Sequence, residues 1–178
     1  PIYRGEGNRL PVSAMPVDGS FPTGTAKFEK RNIALEIPEW IEDLCTQCGK
    51  CVFVCPHSAI RARAFPADAV AEAPITFKHV PAKSKDFPAG TRISYQVAPE
   101  DCTGCGDCVE ACPIHDKSNV SRRAVNMIPL APVREQERDN FDFFLQLPDF
   151  DRSRLKHGTL PGAMLLDRGK AMVHEVRE

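Results

Sequence analysis

The chain has 178 residues, about the length of one domain with extensions. Its 23 Lys and Arg residues nearly balance 24 Asp and Glu residues, so no overall positive field would attract nucleic acid or an anionic membrane. No apolar run approaches the roughly 20 residues that span a bilayer. The N-terminus also lacks the basic start and apolar stretch of a secretory signal. We therefore expect a cytoplasmic protein that binds neither nucleic acid nor a membrane.

Residues 1–40 are predicted to form a linker or arm rather than an independent core. Five prolines interrupt this segment, and residues 17–20 and 22–25 have the composition of turns. Three apolar residues alternate near its end, which favours a short strand within residues 29–37 (Ile33, Leu35 and Ile37). We interpret the segment as an arm that lies over neighbouring parts of a larger protein.

The cysteines form two copies of one motif, and none is left over. The first copy contains Cys45, Cys48, Cys51 and Cys55, and the second contains Cys102, Cys105, Cys108 and Cys112. Both copies read C-x2-C-x2-C-x3-C-P. A shift of 57 positions superimposes the twelve residues of each copy with eight identities. The chain therefore contains an internal repeat.

This spacing is that of the bacterial [4Fe–4S] motif. Three thiolates spaced by two residues let one tight loop reach three irons, and Gly49, Gly104 and Gly106 allow the backbone to approach. The fourth cysteine follows one helical turn later, and in two-cluster proteins it binds the other cluster. We therefore predict two ligand sets. Cluster 1 is bound by Cys45, Cys48, Cys51 and Cys112, and cluster 2 by Cys102, Cys105, Cys108 and Cys55.

Disulfides and structural zinc are the alternative explanations for eight cysteines. Disulfide frameworks are typical of small secreted chains, and structural zinc uses pairs of the C-x2-C type. Neither requires a C-x2-C-x2-C triplet that is followed by C-P. A single cluster with a degenerate second motif is disfavoured because both motifs are complete. The sequence favours two [4Fe–4S] clusters.

Residues 41–130 are predicted to form an α+β, dicluster ferredoxin-like domain. Each half would contain a strand, a cluster loop, a short helix and a returning strand, related by pseudo-symmetry. Alternation predicts strands at residues 59–65 and 93–97, whereas residues 122–130 are compatible with helix or strand. Between the halves lies an insertion, about residues 66–91, which we interpret as a solvated basic loop or a docking surface for another domain. Its basic residues are Lys78, Lys83 and Lys85.

Residues 131–178 are predicted to be a C-terminal extension or linker. An amphipathic helix is expected at residues 135–145, where Phe141, Phe144 and Leu145 form an apolar stripe suited to packing. Residues 149–157 are expected to be irregular and residues 169–178 to form a frayed helix.

No catalytic motif accompanies the cysteines. The sequence contains no phosphate-binding loop, dinucleotide fingerprint or nucleophile elbow, and no residue is assigned a catalytic role. His57 and His115 are interpreted as polar neighbours of the clusters, and Trp40 as a residue that shields one of them. Lys50 and Asp107 occupy equivalent positions and are expected to be solvated.

The flanking residues carry a more specific resemblance. The stretch Val17-Asp-Gly-Ser-Phe-Pro-Thr-Gly-Thr25, followed by Phe28-Glu-Lys-Arg-Asn-Ile-Ala34 and Ile37-Pro-Glu-Trp40, closely resembles pyruvate:ferredoxin (or flavodoxin) oxidoreductase. The resemblance continues through Cys55-Pro-His-Ser-Ala-Ile60 and the second cysteine motif to about residue 155. It therefore covers most of the chain.

The resemblance implies a function within a larger enzyme. Such enzymes are usually dimeric, and they oxidise pyruvate with coenzyme A on thiamine diphosphate, with Mg, in other domains. Electrons then pass through [4Fe–4S] clusters to ferredoxin or flavodoxin. This segment would be the two-cluster domain with its linkers, which alone would not turn over pyruvate. A stand-alone dicluster ferredoxin and an iron–sulfur subunit acting on another 2-oxo acid are the alternatives.

Overall fold

The computed structural model describes residues 1–20, 30–151 and 153. The mixed architecture of strands and helices agrees with the expected α+β class. In chain order the elements are β1 (Glu36–Trp40), α1 (Lys50–Val54), β2 (Ile60–Pro66), β3 (Val80–Pro81), β4 (Thr91–Val97), α2 (Asp107–Glu110), β5 (Val125–Pro129) and α3 (Leu130–Gln146). Short 3-10 helices cover Ile2–Arg4, Gly7–Arg9, Val12–Ala14 and Ala67–Val70.

Some sequence predictions fall outside these residues. They are the turn at 22–25, most of the irregular segment at 149–157 and the terminal helix at 169–178. The turn predicted at residues 17–20 is confirmed, because the N–H of Gly19 donates to Pro16 O at 3.1 Å and Gly19 has a φ of 74°. Of the helices within the described residues, none combines the length and the apolar character needed to cross a lipid bilayer.

Two antiparallel sheets interleave the two halves of the chain. Strand β1, which leads into the first cysteine loop, pairs with β5, which follows the second loop; Trp40 lies opposite Val125. Strand β4, which leads into the second loop, pairs with β2, which follows the first; Val97 lies opposite Ile60. The edge strand β3 adds to β4. This exchange of strands brings both cysteine loops together, and helices α1 and α2 contact each other.

The predicted strands are largely confirmed. Strands β2 and β4 cover residues 59–65 and 93–97 apart from Ala59, and the ambiguous segment 122–130 contains strand β5. The strand predicted within residues 29–37 is misplaced, because pairing with β5 starts only at Glu36. Ile33 and Leu35 are exposed, whereas Ile37 is completely buried. The apolar alternation therefore did not mark a strand at its first two members, since no strand within the described residues pairs with them.

The insertion at about residues 66–91 packs onto the rest of the fold. Phe77 and Phe87 are buried, and the ammonium group of Lys78 donates to Trp40 O at 2.8 Å and to Glu39 Oε1 at 3.1 Å. Another contact of Lys78, at 3.6 Å, joins it to Glu42. Phe77, Lys78 and Phe87 therefore pack against the fold and do not belong to a solvated loop. A docking surface elsewhere in the insertion stays a prediction.

Helix α3 confirms and extends the predicted amphipathic helix. Phe141 and Phe144 are buried, and Leu145 is half-buried. The guanidinium groups of Arg61 and Arg63, which share one face of β2, lie over the rings of Phe141 and Phe144 at 5.4 Å and 5.6 Å. Aromatic faces attract such cations. The stripe therefore fixes α3 against the sheet.

Arg63 also holds the C-terminal end of α3. It is buried, donates to Leu145 O at 3.2 Å and to Leu147 O, and pairs with Asp149 at 3.4 Å. The last carbonyl groups of a helix lack partners within the helix, and a cation there also interacts favourably with the helix dipole. A strand residue thus caps the helix that packs on the sheet.

We expect Leu130→Ala to destabilise the chain by about 2–5 kcal/mol, because Leu130 is 1% exposed and its truncation leaves a cavity. Leu35→Ala is the matched control: Leu35 is 87% exposed, although its carbonyl accepts the N–H of Leu130 at 2.9 Å. That substitution should change stability by less than about 0.5 kcal/mol. Urea unfolding followed by circular dichroism under anaerobic conditions measures both. Equal effects would contradict the packing described.

Candidate iron–sulfur centre

The two cysteine loops share unusual backbone conformations at equivalent positions. Gly49 and Gly106, which precede α1 and α2, have φ values of 72° and 83°. Two residues earlier, Gln47 and Gly104 have φ values of 62° and 73°. Each pair is 57 positions apart. Left-handed backbone is free of strain for glycine but costs a residue with a side chain about 1–2 kcal/mol, so Gln47 is the strained member of this set.

Backbone N–H groups point at several of the sulfur atoms. The N–H of Gln47 donates to Cys45 Sγ at 3.2 Å, and the N–H of Gly104 donates to Cys102 Sγ at 3.4 Å. Cys55 Sγ accepts the N–H of Ala59 at 3.2 Å. Such bonds favour the charged form of the acceptor, here a thiolate. In both loops, a backbone N–H therefore favours the thiolate form of the first cysteine, which is the form that binds a cation.

The first predicted ligand set is brought together, including its member from the second motif. The thiol of Cys45 interacts electrostatically with those of Cys48 and Cys112. Cys51 interacts with all three of them. Cys45, Cys51 and Cys112 are buried and Cys48 is half-buried. Trp40 and Tyr95 lie in the same apolar cluster, which agrees with the shielding role expected of Trp40.

The second predicted ligand set surrounds a cavity. Cys55, Cys102, Cys105 and Cys108 line a space of about 300 Å³, part of which is open to solvent. The Cys108 thiol interacts electrostatically with the other three, and Cys105 is the exposed member. One further interaction, between Cys51 and Cys108, links the two sets.

The chemistry of these donors fits thiolate-bound clusters. None of the eight cysteines is in a disulfide. Burial, reinforced by the neighbouring thiols, raises the pKa of Cys108 to about 12 and also raises the pKa of Cys51. Metal ligation requires thiolates, and a bound cation supplies the charge that makes deprotonation favourable at such sites. The cysteines therefore suit iron–sulfur clusters, whose bound iron would favour the thiolate form.

The described residues contain no group of three His, Cys, Asp or Glu side chains placed to hold a single metal ion. A [4Fe–4S] cluster has a different requirement, because each of its four thiolates binds a different iron.

Gln47 and Lys83 support the first cysteine loop, and the sequence did not predict this role. The side-chain amide of Gln47 donates to Pro81 O at 2.8 Å and its carbonyl accepts the N–H of Lys83 at 2.8 Å. The ammonium group of Lys83 donates to Cys45 O at 2.5 Å. The insertion therefore clamps the first loop. The basic composition of the insertion was visible in the sequence, but its target was not.

Arg123 was missed as well, and it supports the second loop. Its guanidinium group donates to Val109 O at 2.6 Å, to Glu110 O at 2.9 Å and to Cys112 O at 3.5 Å. It therefore ties the end of α2 and the last cysteine to the start of β5. No motif signals this contact, because Arg123 lies beyond the C-P that closes the repeat.

The remaining candidate residues lie at the edge of the site. Lys50 and Asp107 begin α1 and α2 and are exposed. His57 is exposed too, and His115 Nδ1 lies 2.7 Å from Val120 O. All four are therefore placed as the polar, solvated neighbours that the sequence suggested.

Comparison with known proteins defines the class of the domain. Residues 44–115 match the 4Fe-4S dicluster domain family, and residues 1–34 match a family described as a domain of unknown function. The residues that match the 4Fe-4S dicluster domain family contain both cysteine motifs.

The chain is similar to pyruvate-flavodoxin and pyruvate:ferredoxin oxidoreductases, among other relatives. It is 58% identical over 151 residues to a pyruvate-flavodoxin oxidoreductase of Nostoc sp., covering 85% of this chain and 12% of the relative. Identity is 53% over 155 residues (87% and 13%) with a probable pyruvate-flavodoxin oxidoreductase of Escherichia coli, and 47% over 150 residues (84% and 12%) with a pyruvate:ferredoxin oxidoreductase of Moorella thermoacetica. The expected resemblance is confirmed. The chain spans about an eighth of the length of these relatives.

We expect Gly104→Ala to impair cluster 2 more than left-handed strain alone explains. Gly104 has a φ of +73°, and an added Cβ would lie 3.2 Å from Glu36 O. Gly90→Ala is the matched control, because Gly90 has a φ of +84° but open space around it. Gly90→Ala should reduce the stability of the chain by about 1–2 kcal/mol. The Gly90→Ala protein should keep its full iron content. Gly104→Ala should reduce stability more than Gly90→Ala does, and it should also lower the iron content. Iron content is measured after anaerobic purification. Equal iron content in the two variants would show that the crowding is harmless.

Proposed function

We propose that the chain is the electron-transfer segment of a pyruvate:ferredoxin or flavodoxin oxidoreductase, relaying electrons from pyruvate oxidation through two [4Fe–4S] clusters. The observation that carries the proposal is that cysteines of both motifs lie together: Cys55 lines one pocket with Cys102, Cys105 and Cys108, and Cys112 is buried in one cluster with Cys45 and Cys51. The identity to pyruvate-flavodoxin oxidoreductases over 85% of the chain supports the choice of enzyme.

The proposal keeps the two ligand sets that the cysteine spacing predicts. Cluster 1 is bound by Cys45, Cys48, Cys51 and Cys112, and cluster 2 by Cys102, Cys105, Cys108 and Cys55. Each set thus borrows its fourth thiolate from the other motif, in a pseudo-symmetric dicluster domain at residues 41–130. The arm at residues 1–40 and the extension at residues 131–178 join this domain to the rest of the protein.

When bound, the two clusters supply one-electron transfer. The chain's own residues hold the thiolates, bury them and decide which of them faces outward. Three of the four cluster 1 cysteines are buried, whereas Cys105 of cluster 2 is exposed. Phe53 and Val54, just before Cys55, are each 39% exposed. The side of the domain that carries Cys105 is therefore where a redox partner comes nearest to a cluster.

The chemical steps on pyruvate take place in other domains of the whole protein. Thiamine diphosphate, Mg and the sites for pyruvate and coenzyme A lie in other domains of a homodimeric enzyme. Ferredoxin or flavodoxin accepts the electrons. A cytoplasmic location suits the thiolates, because reducing conditions keep them available for iron.

The exposed arm disfavours a stand-alone ferredoxin. Tyr3, Val17 and Leu35 are each at least 87% exposed, and Val12 is 91% exposed. Single exposed apolar residues are ordinary. Several of them along one arm indicate that another protein surface covers the arm. We assign that surface to neighbouring domains of the same enzyme.

Paired cysteine substitutions test the shared ligation. We expect Cys112→Ala, and likewise Cys55→Ala, to lower the iron content from about eight to about four atoms per chain, because each removes one ligand of a [4Fe–4S] cluster. Combining Cys112→Ala with Cys45→Ala should cause no further loss, since both belong to cluster 1. Combining Cys112→Ala with Cys102→Ala should remove nearly all iron. The opposite pattern in the two double variants would show that each motif binds its own cluster.

Electron transfer is tested in the whole protein that contains this chain. Cys48→Ala and Cys105→Ala should each reduce pyruvate-dependent reduction of flavodoxin or ferredoxin to background, because each breaks one cluster of the relay. Val120→Ala, at a side chain that is 72% exposed, is the control and should retain full transfer. Acceptor reduction is followed by absorbance under anaerobic conditions. Undiminished transfer in both cysteine variants would refute the proposal.

A further inference from the structure

The indole of Trp40 is held rigidly beside the first cysteine loop. Trp40 is the last residue of β1, lies opposite Val125 of β5 and is 5% exposed. Its ring lies 5.2 Å from that of Tyr95, and its carbonyl accepts a hydrogen bond from Lys78 at 2.8 Å. Backbone pairing, ring packing and this contact together leave the indole little freedom to turn.

The N–H of this indole is buried without a full hydrogen bond. Among the described residues, no acceptor meets hydrogen-bond geometry with Trp40 Nε1. Buried indole N–H groups normally have a partner, since an unsatisfied donor in the interior is costly. An unpaired indole N–H in a fixed side chain therefore points to an acceptor that becomes strong only when cluster 1 is bound.

Cys45 follows Trp40 by five residues and lies in the same buried cluster, so its sulfur is the candidate acceptor. Burial raises the pKa of the Cys45 thiol, and the side-chain N–H of Trp40 is the largest influence that opposes the rise. A thiolate bound to iron carries more negative charge than a thiol, and a charge-assisted hydrogen bond is stronger.

The second half of the chain has no counterpart. Val97 lies 57 positions after Trp40, ends β4 as Trp40 ends β1, and precedes Cys102 by the same five residues. Val97 is equally buried, at 4% exposed, but its side chain has no polar hydrogen. The influences on the Cys102 thiol are burial, the N–H of Gly104 and the thiols of Cys55 and Cys105.

The geometry points to Trp40 as a positioning residue that tunes cluster 1 alone: its indole N–H donates to Cys45 Sγ and raises the reduction potential of cluster 1 relative to cluster 2. The inference rests on the proposed cluster 1. Reduction adds one negative charge that is shared with the ligand sulfurs, so a donor to Cys45 stabilises the reduced form more. Hydrogen bonds to the sulfurs are among the factors that set cluster potentials.

The test replaces the N–H without changing the shape of the side chain. In the whole protein, Trp40→Phe and Trp40→benzothienylalanine, in which sulfur takes the place of the N–H, are each titrated with electron paramagnetic resonance detection. Cluster 1 is identified as the signal that Cys48→Ser perturbs. Its reduction equilibrium should become about fivefold less favourable in the benzothienylalanine variant, or about 40 mV for one electron. The potential of cluster 2 should stay unchanged, which makes it the internal control.

Resonance Raman spectra provide a second readout that a merely structural role would not affect. In the native protein, exchange into D2O should shift an Fe–S(Cys) stretching mode of cluster 1, and that part of the shift should be absent from the benzothienylalanine variant. Trp40→Phe should reproduce the fall in potential if water stays out of the vacated space. An unchanged or higher cluster 1 potential in the benzothienylalanine variant would overturn the inference. A protein without iron would instead overturn the proposed function.

Discussion

The structure depends on one electrostatic constraint: four of the eight thiols, those of Cys45, Cys51, Cys102 and Cys108, are buried where water cannot stabilise a thiolate. Burial raises the pKa of Cys51, Cys102 and Cys108, so thiolates at these positions need another source of stabilisation. Backbone N–H groups supply part of it, at Cys45, Cys55 and Cys102. Iron would supply the larger part, because metal binding and the deprotonation of its ligands are coupled. Folding of this domain and cluster binding are therefore expected to be one process.

The exchange of strands between the halves follows from the same constraint. If each motif folded with its own strands, the fourth cysteine of each would point away from its own loop. Pairing β1 with β5 and β2 with β4 instead brings the exit of each loop to the entrance of the other. Cys55 then lies with Cys102, Cys105 and Cys108 around one cavity. Sheet topology and thiol grouping are thus two aspects of one arrangement.

Local features of the sequence predicted much of the fold and the site, whereas long-range contacts stayed hidden. The cysteine spacing predicted the two ligand sets, and alternation located β2 and β4, because both patterns lie within a few consecutive residues. Alternation at Ile33 and Leu35 was misleading, since a strand also needs a partner. Lys83 and Arg123 act on carbonyl groups 38 and 11 or more residues away, respectively. No local pattern encodes such a distance.

The two copies of the repeat keep all their cysteines but differ in the residues that support each loop. The first loop accepts the strain of Gln47 in a left-handed conformation, where the second has Gly104. In return, the side chain of Gln47 binds both Pro81 and Lys83, so the insertion can hold that loop. The second loop is held from behind by Arg123. Since every proposed ligand is a cysteine thiolate, a difference in potential between the two proposed clusters would come from their surroundings, such as Trp40 and the exposure of Cys105, rather than from the type of ligand.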